Sequence, residues 1–358
     1  MKVKAIIMAG GVGERFWPKS REKRPKQLLP ITNDRSMIRN TVDRVKALVP
    51  VSDIMILTRS SYTGAISRLV PELPPGNIIG EPEGRNTAPC IGLAAVSIKE
   101  PDAVMMIFPS DHVIFPVNRF KRILKWAAVI AEKTDNLVTV GIKPSYGSTA
   151  YGYIKEGKKL QLRSLCAKTK KPEGVEAYAV NNFIEKPVKR TAEKFVNNGG
   201  YLWNSGIFVW RKKVILNAMN KFLPDIFNKL SRLDKKNIKK IYHGIGKISI
   251  DYGILEKAGN RIVIAADFDW NDVGSWEALS RCFQKDGKNN ISQGNVLNID
   301  TKNTMVFTEK ELVVTLGVEG LIVVSTGDAL LVMKNGRGEE VKEVVSRLKA
   351  DSRLKKYF

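Results

Sequence analysis

The chain has 358 residues, 43% of them apolar, with a formal net charge of +23. That length supports a substantial core and two domains, because single cores stop growing near ~250 to 300 residues, and the apolar runs fall short of the ~18 to 20 residues of a membrane span. Three dispersed cysteines (Cys90, Cys166, Cys282) and two histidines (His112, His243) argue against a disulfide framework or a zinc site, so any metal should be a hard cation held by carboxylates.

The first element carries the most information. An apolar strand over residues 4–9 runs into Gly10-Gly11-Val12-Gly13-Glu14-Arg15, with Pro25-Lys26-Gln27 downstream. Glycines let backbone N–H groups turn outward toward an anion, and Arg15 and Lys26 can neutralise a triphosphate held there. A lone glycine-rich turn is weak, since many β-to-α turns need it for steric reasons, and this loop fits neither the P-loop nor the dinucleotide fingerprint. Arg15, Trp17-Pro18, Arg21 and Lys26 within one stretch favour a phosphate cradle, and Pro18 and Pro25 are expected to hold it extended.

From there to about residue 140, short apolar runs at 54–58, 78–80, 103–108 and 137–140 alternate with helical patterns at 36–49, 62–70, 87–99 and 120–133. This alternation predicts an α/β domain, with a Rossmann-like mixed, mostly parallel sheet flanked by helices and ligands at the carboxyl ends of its strands. Strands are expected at 151–156, 175–185 and 201–211, an exposed basic loop or hairpin at 157–174, and helices at 191–198 and within 212–241. Past about 285, β runs at 295–299, 304–307, 312–316, 321–325 and 329–333 predict a small all-β module of rolled or β-helix-like form, closed by a charged helix at 339–349. The expected domains are therefore 1–285 and 286–358. The second shows no site chemistry, and packing or subunit contact, including a homodimer, is its expected role.

Asp111 in Pro109-Ser110-Asp111-His112 follows a buried-looking run, as does Asp272 in Trp270-Asn271-Asp272-Val273-Gly274-Ser275-Trp276. Either could merely cap a turn, yet Mg²⁺ bound with substrate phosphates takes one or two protein carboxylates, which this pair would supply if the strand ends meet. Glu185-Lys186-Pro187 closes another strand; such a pair is often only solvated, but Lys186 could meet a phosphate and Glu185 sugar hydroxyls. Asn204, inside the apolar strand 201–211, must find partners and is either a network residue or a hydroxyl reader.

Taken in order, six segments resemble the sugar-nucleotide pyrophosphorylase family: residues 9–18 with Ser20-Arg21 and Pro25-Lys26-Gln27, Gly80-Glu81-Pro82 with Gly84-Arg85-Asn86-Thr87-Ala88-Pro89, Pro109-Ser110-Asp111-His112, Phe183-Ile184-Glu185-Lys186-Pro187, Trp203-Asn204-Ser205-Gly206, and the 270–276 motif. The Arg85-Asn86-Thr87-Ala88-Pro89 form looks like the guanylyl branch. The resemblance implies a nucleotidyltransferase acting on GTP and mannose 1-phosphate. It implies that Ala9, Gly10, Gly11, Gly13, Arg15 and Lys26 hold the nucleotide phosphates and that Arg85, Asn86 and Thr87 face the base. It further implies that Gly152, Glu185, Lys186 and Asn204 hold the sugar phosphate and that Asp111 and Asp272 bind Mg²⁺, with Arg15, Lys26 and Lys186 as the catalytic cations. Lys19, Lys23 and Arg24 add charge to the first loop beyond that pattern.

Competing expectations are the same chemistry with another base or sugar, a non-catalytic sugar-nucleotide-binding subunit, and a polyanion-binding protein. The last is disfavoured because the basic residues are scattered over helical surfaces without a nucleic-acid motif. The N-terminal apolar run ends in glycines rather than a cleavage site, so cytoplasmic location, without membrane contact, is expected.

Overall fold

The computed structural model describes residues 2–162, 174–234 and 237–358; most of the basic 157–174 stretch lies outside them. By compactness the chain forms two units. The first comprises Met1–Gly10, Thr41–Ser110 and Ile114–Trp270, and the second Gly11–Asn40, Asp111–Val113 and Asn271–Phe358. This division differs from a single cut between 285 and 286, because the phosphate loop packs with the tail.

The first unit is built on β1 (Val3–Ala9), β2 (Ile54–Arg59), β3 (Ile78–Glu81), β4 (Val104–Pro109), β6 (Leu137–Ile142), β7 (Tyr153–Lys159), β8 (Glu176–Ile184), β9 (Tyr201–Arg211) and β10 (Arg261–Ala266), with the short β5 (Val113–Phe115) and β11 (Asp269–Asn271) outside its sheet. Strand order is β3-β2-β1-β4-β9-β6-β10-β8-β7. The β3-β2-β1-β4 half is parallel, as are β6 and β10, with Ile6 opposite both Met55 and Ile107. The central strands are apolar on both faces, as helix-covered parallel strands must be. The expectation of a mostly parallel sheet is corrected beyond that half: β7, β8 and β9 run antiparallel to their neighbours. An irregularity between Thr139 and Gly141 in β6 sets Gly141 opposite Asn204 and Ile142 opposite Trp203. Such bulges re-aim side chains.

The helix Thr87–Ser97 is buried nearly all round and shares a core with Ile6, Leu57, Met105, Phe208 and Trp210. A Cβ on its Gly92 would lie 2.4 Å from Leu230 and 2.6 Å from Met219, so glycine lets the neighbouring helices approach.

In the second unit, β12 (Ile291–Gln293), β14 (Met305–Thr308) and β16 (Leu321–Ser325) form one parallel ladder, and β13 (Val296–Ile299) and β15 (Val313–Leu316) another. β17 (Leu330–Lys334) closes the first ladder antiparallel to β16. Met305 pairs with Ile322 and Val296 with Val313, a 17-residue advance at both steps (322 − 305 and 313 − 296), after a 14-residue step from Ile291 to Met305 (305 − 291). The corners repeat with them: Asp300 and Asn303 adopt positive φ, as do Gly317 and Gly320 one coil later. A rolled β coil needs that backbone at the same corner of every turn, where Asn, Asp and Gly are least strained. The β-helix-like form is therefore observed.

Phe16, Trp17, Leu29, Ile31 and Met37 share the second unit's core with Val273, Trp276, Ile322, Val324, Val341 and Val345. That apolar anchor explains why residues 11–40 belong with the tail. Among the described residues no helix is long and apolar enough to cross a membrane.

Candidate functional site

The expected site residues fall into one cluster in the second unit and two in the first. In the second unit, Gly13 has φ +77°, and a Cβ there would lie 2.4 Å from Lys26 Cβ. Glycine thus lets the loop close over Lys26, whose N–H donates to Val12 O at 3.0 Å. The loop is not extended as expected. It forms 3-10 turns at Glu14–Phe16 and Lys26–Leu28, because Phe16 and Trp17 turn inward to the core.

Lys26 is buried, and its ammonium donates to Asp111 Oδ2 at 2.7 Å and to the Asp272 main-chain oxygen at 3.1 Å. Burial alone would raise the Asp111 carboxyl, but the charges of Lys26 and His112 and the hydrogen bond from Lys26 hold it below the usual carboxylate range. Asp272 Oδ1 accepts from Gly274 N at 3.1 Å, and the intervening Val273 has φ +45°. A β-branched residue in that region is strained, a state that concentrates at functional sites. Arg15 donates to Gly274 O at 3.3 Å, and its Nε lies 3.0 Å from Glu339 Oε2. The structure therefore gathers Lys26, Asp111 and Asp272, with Arg15 joined through Gly274.

Asp111 brings its carboxylate to the Lys26 ammonium and Asp272 its main-chain oxygen, with the Asp272 carboxylate on Gly274 N, and oxygens of this kind fit a hard cation that takes its remaining ligands from substrate. Among the described residues no group of three or more metal-ligating side chains forms. Lys19 and Arg21 serve elsewhere: Lys19 sits 3.4 Å from Glu309 and 4.0 Å from the Phe307 ring centroid, and Arg21 pairs with Asp328 at 2.7 Å.

The first unit holds Gly152, Glu185, Lys186 and Asn204 together. Glu185 Oε1 pairs with Lys186 at 2.9 Å, while Oε2 is buried without a hydrogen-bond partner among the described residues. A Cβ on Gly152 would lie 2.4 Å from that oxygen, so glycine makes room for it. Lys186 has φ +47°, turning its side chain back to its neighbour's carboxylate. Asn204 donates to Asp251 Oδ1 at 2.8 Å and accepts from Gly206 N at 3.2 Å and Thr139 Oγ1 at 3.3 Å. Its amide is a network residue, one of the two roles left open by the sequence.

Asp251 escaped the sequence reading. Burial, then the Glu185 charge, pushes its carboxyl up to about 7, against the opposing Asn204 hydrogen bond and Lys186 charge. It opens a π-helical turn, Asp251–Leu255, a form frequent at functional sites. The signal available was an acidic residue ending Ile248-Ser249-Ile250, which no motif singles out.

The loop before the helix Thr87–Ser97 forms the first unit's other cluster. Asn86, with φ +69° and ψ −175°, caps that helix by accepting from Thr87 N at 2.8 Å. This backbone region is nearly exclusive to glycine. Thr87 Oγ1 accepts from Ile250 N at 2.8 Å, tying the loop to the segment that carries Asp251. Arg85 donates to Glu83 Oε2 at 2.8 Å and His243 O at 2.6 Å, and His243 Nδ1 lies 2.5 Å from Glu83 Oε1. The His243 contact, above all, holds the Glu83 carboxyl low. Glu81 accepts from the Tyr242 hydroxyl, and burial raises its carboxyl. Ala9 O and Gly10 O accept from Thr58 Oγ1 and Arg59 Nε at 2.8 and 3.1 Å.

Residues 4–289 match the nucleotidyl transferase family model, and residues 294–348 match that of the MannoseP isomerase/GMP-like beta-helix domain. The chain is 35% identical to mannose-1-phosphate guanylyltransferase 2 of Escherichia coli O157:H7, covering 98% of this chain and 74% of that protein. It is 37% identical to xanthan biosynthesis protein XanB of Xanthomonas campestris, covering 97% and 73%. A solved structure described as mannose-1-phosphate geranyltransferase from Thermus thermophilus superposes with a TM-score of 0.85 at 33% identity, covering 98% of this chain and all of that one. The motif order, the coiled C-terminal module and these likenesses agree: the chain belongs to the mannose-1-phosphate guanylyltransferase family of nucleotidyl transferases.

Proposed function

We propose that this chain transfers GMP from GTP to mannose 1-phosphate, giving GDP-mannose and pyrophosphate. The observation that carries the reading is the Lys26 ammonium, buried beside Gly13 and held between Asp111 and Asp272. Supporting it is Glu185 Oε2, an orphaned acceptor suited to a sugar hydroxyl.

In this mechanism a sugar 1-phosphate oxygen attacks the α-phosphorus in line, forming the new P–O bond as the α–β bond breaks and pyrophosphate leaves. The nucleophile is a phosphate monoester with a second pKa near ~6, already largely anionic at neutral pH, so no general base is needed. Repulsion between polyanions is the obstacle, and positioned cations remove it. Lys26 and Arg15 neutralise the triphosphate, with the N–H groups of Gly11 and Gly13 beside them. Lys186 meets the sugar phosphate, and Glu185 orients the ring. The loop containing Arg85, Asn86 and Thr87 faces the base. Asp111 and Asp272 would hold Mg²⁺, which when bound supplies further neutralisation of phosphate charge.

The module's β13–β15 face exposes Leu297, Ile299, Val314 and Leu316, and a homodimer through this face is the assembly we favour. Light scattering of the purified chain distinguishes it from a monomer.

The test of function is pyrophosphate release with Mg²⁺ across GTP, ATP, UTP, CTP and dTTP, each paired with mannose 1-phosphate and glucose 1-phosphate. Release confined to GTP with mannose 1-phosphate is expected. Another productive pair would move the substrate, and nucleotide binding without release from any pair would favour a regulatory subunit.

A further inference from the structure

Each charged side chain from Glu14 to Arg21 has an opponent in the C-terminal half of the second unit. Lys349 Nζ donates to Glu14 Oε1 at 2.6 Å, Glu339 lies 3.0 Å from Arg15, Glu309 faces Lys19 and Asp328 faces Arg21. Trp17 Nε1 donates to Tyr357 O at 2.9 Å, and Trp276 Nε1 donates to Trp17 O at 3.2 Å. Three of these pairs engage residues that hold the loop's shape. The fourth engages Arg15, the residue assigned above to the triphosphate.

The backbone next to Glu339 is anchored. Gly338 N donates to Glu277 Oε1 at 2.7 Å, and a Cβ on Gly338 would lie 1.9 Å from Glu277 Oε2. Position 338 thus admits only glycine without displacement, and Glu277 follows directly on the 270–276 motif that carries Asp272. Glu339 also meets Lys342 at 3.4 Å. A guanidinium has five N–H donors in a rigid fork, so one edge can rest on a carboxylate while the others serve a phosphate.

We propose that Glu339 is a positioning residue for nucleotide binding: carried on a backbone that Gly338 anchors to Glu277, its charge draws the Arg15 guanidinium, whose Nε makes an ion pair with it but no hydrogen bond, toward the orientation from which it meets the triphosphate. The C-terminal module is then part of the nucleotide-binding apparatus as well as a packing element. This rests on the assignment of Arg15 to GTP. The Glu339 side chain is 60% exposed, so its replacement should leave the fold intact.

The experiment is calorimetric titration of the full chain with GTP, for wild type, Glu339→Gln and Glu339→Asp, and for Glu339→Gln combined with Arg15→Ala. Glu339→Gln should weaken GTP binding about two- to fivefold, the range of an exposed ion pair, at an unchanged melting temperature. Its KM for GTP should rise in step while kcat and the KM for mannose 1-phosphate hold, and Glu339→Asp should lie between. In the Arg15→Ala background the same change should have no further effect. Gly338→Ala should reproduce the Glu339→Gln phenotype by displacing the carboxylate. Unchanged or tighter GTP binding by Glu339→Gln, or an equal loss without Arg15, would overturn the proposal. Absence of GTP binding by the wild type would instead remove the nucleotide assignment and this inference with it.

Discussion

The phosphate cluster of the second unit and the sugar cluster of the first solve opposite problems. In the former every cation is matched inside the protein, Lys26 by Asp111 and Arg15 by Glu339. In the latter, acid accumulates: Glu185 Oε2 has no hydrogen-bond partner among the described residues, and the neighbouring Asp251 carboxyl is pushed up to about 7. A polyanion can bind by exchanging partners with pre-placed cations, whereas a neutral hydroxyl needs an acceptor left without a donor. The contrast separates charge neutralisation from hydroxyl recognition, and substitutions should separate them too.

The largest effect should come from Lys26→Ala, which removes the ammonium and leaves Asp111 without its main counter-charge. Steady-state pyrophosphate release should fall roughly a hundred- to a thousandfold, the scale of losing one transition-state contact. Asp111→Ala should be comparably damaging to turnover while circular dichroism reports a folded chain; full activity in Asp111→Ala and in Asp272→Ala would sink the metal assignment. Next is Gly152→Ala, whose methyl would fall 2.4 Å from Glu185 Oε2. Displacing that oxygen should lower kcat/KM for mannose 1-phosphate by about a hundredfold and leave GTP affinity alone. Equal losses toward both substrates would erase the distinction between the clusters.

Asp251→Asn gives the smallest and most diagnostic effect. The folded carboxyl lies near 7, above its ordinary 3.8, so its contribution to stability is full below about pH 4 and lost as pH rises through about 7. Thermal melts from about pH 4 to about 8 should therefore show the variant gaining on the wild type as pH rises. A constant offset would mean that Asp251 does not titrate in this window.

The glycine loop, Lys26, the two aspartates and the Glu185-Lys186 pair were legible because local order carries them: each ends an apolar strand or follows a turn. The phosphate loop's two 3-10 turns were not, since Phe16 and Trp17 turn inward for a core completed some 260 residues later by Val273 and Trp276. Asp251 hid for a related reason. Its meaning depends on Asn204 within β9, on Glu185 just past the end of β8, and on a Thr87 hydroxyl that anchors its segment.

By itself the sequence determined the strand-and-helix alternation, the coiled module and the residue types of the chemistry, because hydrophobic period and turn chemistry act over a few neighbours. Tertiary structure alone decided the reversed strands beyond β4, the allegiance of residues 11–40 to the tail, and the pairing of Arg15 with Glu339. These depend on residues hundreds of positions apart whose contact no local pattern encodes, and only the packed cores bring them together.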